Sequence, residues 1–415
     1  MSPATTPATP AQRARSGDAR MLAQDLGHSR QDTLQTFAAS ESALPTLQVP
    51  IAQDLNPPLW ELGHVGWFAA WWLARNPERA RGWHAHPDAP REPPARAGAD
   101  ALYDSRHVAH ASRWSLALPD ARTTRADLAA QLTATLDLLA SEIGTDAERL
   151  YFFRLALLHE DMHHEAALYM AQALGVAIAD PRWQATPLPD PGPALQLPAT
   201  AWALGTQPET GFAFDNECGH QVIDLVPTRI DSQVLRWQDY LPFAEDGGYT
   251  QAQWWSPPGW QWLQQWLKSN GPAPRYLRRE GRTWLQWRHG QWRALPLREA
   301  ACHLTAYEAQ AWCRWAGRRL PTEAEWAWAA HHAPESSFRW GQVWEWTASA
   351  FAPFPGFAPH PYRDYSAPWF DGRPVLRGAS FMTQARMRHP SYRNFFPADR
   401  NDVAAGFRTC EDVGS

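Results

Sequence analysis

The chain has no uninterrupted apolar run of about 18 residues, the length a membrane-spanning helix needs, so no membrane partner is expected. It has no basic excess and no acidic run. A formal charge of −5 spread along 415 residues gives no footprint for nucleic acid and no solvating tail. Cysteine is scarce: Cys218, Cys302, Cys313 and Cys410 lie far apart and form no CxxC pair, which points to a reducing cytoplasm. The first twenty residues, MSPATTPATPAQRARSGDAR, lack an apolar h-region and read as a disordered leader, residues 1–20, rather than a secretory signal. No internal repeat is present.

What remains is a globular chain, 44% hydrophobic and long enough for two cores. Residues 21–175 are helical in pattern and predict a four-helix bundle. Leu128, Leu132, Leu136 and Leu139 share one face; NPP precedes LWELGHVGWFAAWWLARN; a long helix ends on Gly175. Residues 176–199 are Pro-rich and read as a linker. From 200 to 415 Gly, Pro, Trp and short β-prone runs predict an irregular α+β domain. The 25 tryptophans suit a loop-rich fold held by aromatic plugs, or an aromatic-walled cleft.

Chemistry concentrates in LLHEDMHHEAALYM, Leu157 to Met170. His159 and His163, one turn apart, project from the same helix face and can grip one ion. Glu165 lies off their line, better suited to support than to ligation, and His164 is expected at the surface. His159, Glu160 and His163 also match HExxH, in which the Glu activates water on zinc. That zinc-hydrolase reading lacks its third ligand: position 169 is Tyr, and no Glu follows Glu165 before Glu209. His64, on the apolar helix LWELGHVGWF, offers another. Three neutral imidazoles from two facing helices leave open positions and suit Fe(II) or Zn(II).

The segments GFAFDNECGHQVIDL, AGRRLPTEAEWAWAA, GQVWEWTASAF, VLRGASF and AAGFRTC follow one another in the C-terminal half. In that order they resemble the formylglycine-generating-enzyme/sulfatase-modifying-factor fold, a C-type-lectin-like α+β domain. Formylglycine-generating activity, which uses a late cysteine pair, is not expected with Cys410 alone. The helical half, with LWELGHVGWF and HEDMHHE, resembles the DinB-like four-helix domain. Fused in this order, the two are similar to the ergothioneine-type sulfoxide synthases and their selenoneine-synthase relatives. That resemblance implies iron ligation by His64, His159 and His163, with O2 as co-substrate. It also implies attack of a sulfur or selenium nucleophile on C2 of the imidazole of hercynine, trimethylated histidine. HPSYRNFFPADR matches the substrate-binding segment, placing Asn394 on the hercynine imidazole, with Phe395, Phe396 and Arg400 nearby.

Three positions depart from the thiol-using pattern. Met162 replaces a Gln, Phe396 replaces an Asp that binds γ-glutamylcysteine, and a proton-donating Tyr is not found. Phe354 stands at one candidate position and Arg106 and His107 at the other, with Tyr103 earlier in that loop. The missing phenol and acid point to a selenosugar donor, whose selenolate is ionised at neutral pH, with cysteine as the alternative. Arg106, His107 and Arg400 are then candidates to contact it. Trp344 and Trp369 are candidate cleft walls, while Glu345 and Arg377 read as fold-holding.

Overall fold

The computed structural model describes residues 8–142 and 144–412. Six helices come first: α1 (Pro10–Ser16), α2 (Ala19–Ala43), α3 (Pro58–Trp72), α4 (Ala99–Tyr103), α5 (Ala121–Ala140) and α6 (Tyr151–Leu174). Their ends follow from local chemistry. Asp18 and Asp120 accept the backbone N–H groups of Met21 and Thr123, N-caps worth about 1 kcal/mol each. Pro58 opens α3, and Gly175 closes α6 at φ 71°, a left-handed conformation open to glycine. α2 packs on α5 and α6, and α3 on α5 and α6, so the four long helices form one bundle.

The supposed leader is ordered from residue 10 onward, and only residues 1–7 of it lie outside the described residues. Thr9 and Gln12 form a capping box that starts α1. Arg15, 6% exposed, then reaches across the chain and pairs with Glu217 through two bonds of 2.7 and 2.9 Å. The tail of the expected linker is likewise structured, since Leu195–Leu197 pairs with a strand.

Among the described residues, twelve short strands follow. The first seven are β1 (Leu195–Leu197), β2 (Thr200–Leu204), β3 (Gln221–Leu225), β4 (Thr228–Ile230), β5 (Leu277–Glu280), β6 (Thr283–Arg288) and β7 (Gln291–Ala294). The rest are β8 (Trp344–Ala350), β9 (Pro374–Gly378), β10 (Asn394–Phe395), β11 (Ala405–Gly406) and β12 (Cys410–Asp412). They form sheets ordered β1-β4-β12, β10-β9-β8-β11, β2-β3 and β5-β6-β7. Helices α7 (Trp237–Glu245), α8 (Pro257–Trp266), α9 (Ala306–Trp315) and α10 (Glu323–His332) lie among them. Glu345 and Arg408, both fully buried, form a bidentate pair, and Trp326 Nε1 also donates to Glu345. Glu345 is thus part of the frame, as expected.

One apolar cluster runs from Trp60, Phe68 and Phe152 in the bundle to Trp237, Trp344 and Trp346 beyond it. The two halves therefore share a core. All four cysteines are buried and free of disulfides. Among the described residues no helix is long and apolar enough to cross a membrane.

Candidate metal centre

His64 on α3 and His159 and His163 on α6 converge. Their ring centroids lie 5.3, 4.8 and 4.4 Å apart, and one nitrogen from each falls within 4.8 Å of the others. Nitrogens bound to one ion at about 2.1 Å lie about 3.0–3.4 Å apart in facial or tetrahedral geometry. Loading therefore draws the three rings inward toward a common point.

Each ring is held by a different device. His64 Nδ1 donates to the Tyr103 carbonyl at 2.8 Å, which leaves Nε2 with a free lone pair. Gly63 makes that possible: a Cβ there would meet the Tyr103 ring at 2.3 Å. His163 Nδ1 lies 2.5 Å from Glu61 Oε2, and Asn56 Nδ2 donates to the other Glu61 oxygen at 2.7 Å. His159 stacks on Phe68 at 3.4 Å and 3°, and its Nδ1 is buried without a hydrogen-bond partner. Trp60 stacks on His64 at 4.7 Å.

The electrostatics suit ligation. Burial lowers the pKa of His64 to about 3 and holds His159 well below its ordinary value, so both lone pairs are free at neutral pH. Burial opposes the charge of Glu61, but His163 outweighs it and holds that carboxyl below its usual range. Three imidazoles, one of them oriented by a carboxylate, form a donor set that fits a divalent transition ion. Glu61→Gln is expected to weaken metal binding by about 10–100-fold with little change in Tm. Titration of metal into stripped protein checks this, and unaltered affinity would remove Glu61 from the site.

The rest of the histidine helix is tied down. Glu160, the base of the zinc-hydrolase reading, is buried and paired through both oxygens with Arg30 at 2.8 and 3.0 Å, so its carboxylate is already taken. His164 is not at the surface: 1% exposed, it contacts Thr36 at 2.9 Å and Gln384 at 3.3 Å. α2 and the 380s loop cover the face opposite the ligands. Asp161 takes two bonds from Arg386 at 2.8 and 2.9 Å and one from Ser29 at 2.6 Å. Glu165 accepts from Trp344, Ser380 and Thr383 at 2.7, 2.7 and 2.9 Å, which joins the domains rather than supporting a ligand.

A phenol stands at the site after all. The Tyr362 ring meets His159 edge-on at 6.1 Å and Phe68 at 5.0 Å, and burial raises its pKa. It sits in HPYRDY, a Pro-bounded loop with no periodicity to reveal it. Tyr365 and Tyr392 share a hydroxyl–hydroxyl contact of 3.0 Å, and Tyr392 reaches the Met162 sulfur at 3.4 Å. Tyr103 brings its carbonyl, not its phenol, to His64. Phe354 is a core residue beneath Arg393.

The other candidates are spread out. Arg106 and His107 both contact Asp104 and line a cavity of about 260 Å³ with Trp67, Phe68, Trp71 and Tyr362. Asn394 Oδ1 accepts from the Phe395 N–H at 2.8 Å, and Phe395 stacks on Phe351. Phe396 lies under Arg400, which also covers Tyr169 and pairs with Asp402. Trp369 is 40% exposed, and Trp344 points at Glu165 rather than into a cleft.

Comparison with known proteins agrees with this assembly. Residues 186–342 and 339–413 match the sulfatase-modifying factor enzyme 1-like domain. Hercynine oxygenase of Mycolicibacterium smegmatis is 30% identical over 94% of this chain and 99% of its own length. Hercynine oxygenase of Mycobacterium tuberculosis is 31% identical with the same coverage. Formylglycine-generating enzyme of Streptomyces coelicolor is 25% identical over 54% of this chain and 93% of its own. With a three-histidine cluster at the seam of its two halves, the chain belongs to the hercynine oxygenase family and carries a sulfatase-modifying factor enzyme 1-like domain.

Proposed function

We propose that the protein joins a chalcogen nucleophile to C2 of the imidazole of hercynine in an Fe(II)- and O2-dependent reaction. The observation that carries this reading is the convergence of His64, His159 and His163, backed by Glu61, in a chain whose relatives are named hercynine oxygenases. Fe(II) bound there supplies open coordination positions and redox chemistry for O2. The protein's own groups bind, orient and shield. Asn394 meets the hercynine imidazole, Met162 and Phe395 flank it, and Phe396 with Arg400 closes the far end. An aromatic wall suits the trimethylammonium group through cation–π attraction. Tyr362, buried and protonated, is a proton source beside the histidines.

For the donor we favour a selenosugar. The cavity beside Tyr362 is small against the roughly 300–1,000 Å³ of drug-sized sites. Arg106 pairs with Asp104 and Arg363 with Asp88, and the Asp364 carboxylate on the same wall adds acceptors, so donors and acceptors stand beside tryptophan faces for a polyhydroxyl ring. Phe396, in place of an acid, offers nothing to a γ-glutamyl amine. Tyr362 itself favours the second reading, coupling of cysteine, because a thiol needs a proton donor more than a selenolate does.

The test is an O2 pulse to anaerobic Fe(II)-loaded protein holding hercynine and one donor, with mass analysis of the product. Coupling of the selenosugar faster than cysteine is expected; the reverse order would establish the thiol reading, and no O2 uptake with either would end both. Tyr362→Phe should slow thiol coupling by about 10²-fold or more and selenosugar coupling by less.

A further inference from the structure

A second cavity, of about 420 Å³, is lined by Trp202, His331, His332, Phe354, Arg377 and Ser391. Arg377 is 2% exposed. Its Nη1 donates to the Ser391 and Tyr392 carbonyls, at 2.9 Å each, while its Nε has no hydrogen-bond partner. The nearest carboxylate, Glu323, lies 3.8 Å away and is already held by Arg393 at 2.7 and 3.1 Å. Glu217, also on the cavity wall, is held through both oxygens by Arg15. Arg15 and Arg393 are thus each matched by a carboxylate through two bonds, and Arg377 is the guanidinium on this wall that is not. An uncompensated buried charge is a standing electrostatic cost, which a bound anion removes. Burial lowers the Arg377 pKa to about 10, so the group stays charged at neutral pH. His331 adds no charge there, since burial lowers its pKa to about 4.

We propose that this cavity binds a small organic monocarboxylate with a flat apolar body, its carboxylate on Arg377 and its body against Trp202 and Phe354. One carboxylate pairs with the one unmatched guanidinium. A phosphate dianion would overshoot it and leave the aromatic walls unused, and a cation is repelled.

The test uses full-length Fe(II)-loaded protein, kept anaerobic and titrated calorimetrically with benzoate. One site with a Kd of about 1 mM or tighter is expected, with inorganic phosphate about tenfold weaker or more. Trp202→Ala, on a half-buried strand residue, should weaken benzoate at least about fivefold, and Arg377→Met should abolish its binding. His163→Ala, which removes a metal ligand, should leave the benzoate Kd unchanged. No benzoate binding up to about 10 mM would overturn the proposal, as would binding lost in His163→Ala but kept in Trp202→Ala. Phosphate binding as tightly as benzoate would overturn the monocarboxylate assignment. Should Arg377→Met not fold, Trp202→Ala and His163→Ala decide it.

Discussion

His163→Ala is expected to abolish metal retention and O2 consumption together while the protein stays folded. The side chain is 23% exposed and packs against the other two ligands and Glu61, so its removal takes little from the core. Two nitrogens then remain, and Glu61 loses the ring it orients. Removing only a group that orients a ligand typically costs 10–100-fold in affinity, so loss of a ligand should exceed about 100-fold. The adjacent residue gives the contrast. His164→Ala gives up the buried contacts to Thr36 and Gln384. It should lose about 1–3 kcal/mol of stability yet keep the metal. Metal content by elemental analysis and O2 uptake by electrode separate the two variants. Normal metal loading in His163→Ala would remove the centre this reading depends on.

The second large effect is structural. Arg386→Leu strands Asp161, whose carboxylate is fully buried and takes two bonds from that guanidinium. Breaking a buried pair from one side typically costs 3–5 kcal/mol. The cost depends on pH. Burial already raises the Asp161 pKa, while Arg386 and Ser29 pull it down, and without Arg386 it rises further. A carboxyl whose folded pKa exceeds its unfolded pKa loses stability as pH increases between the two. The deficit of Arg386→Leu should therefore be largest near pH 8 and shrink toward pH 5. Denaturant unfolding at the two pH values checks this, and a deficit independent of pH would mean Asp161 is not the stranded group. Because Asp161 lies between His159 and His163, weaker metal binding should accompany the loss.

The three clustered histidines were the most legible part of the site. Two histidines four apart need only helical geometry, and His64 followed from a single polar residue on an apolar helix. Glu61 was legible by the same rule, three residues before His64 and so on its side of the helix, but its partner lies 102 positions away. Tyr362 was hidden because a loop bounded by proline carries no period; only the fold brings it to His159. His164 was misread because periodicity gives the face a residue occupies, not what covers it, and here α2 and the 380s loop both do. The N-terminal stretch was misread from its Pro, Ala and Thr content, although Thr9 and Gln12 at capping-box spacing were there to see. In the β-rich half the texture was plain, but twelve strands of two to seven residues leave too little alternation for register to be read.

Residue 103 joins two parts of the molecule through one peptide unit. Its carbonyl oxygen anchors His64, and the next residue, Asp104, anchors Arg106 and His107 at the mouth of the adjoining cavity. A molecule that fills that cavity and shifts Asp104 is expected to shift the imidazole behind it as well. By thermodynamic reciprocity, an ion among the histidines would then alter that molecule's affinity by the same factor as the molecule alters the ion's.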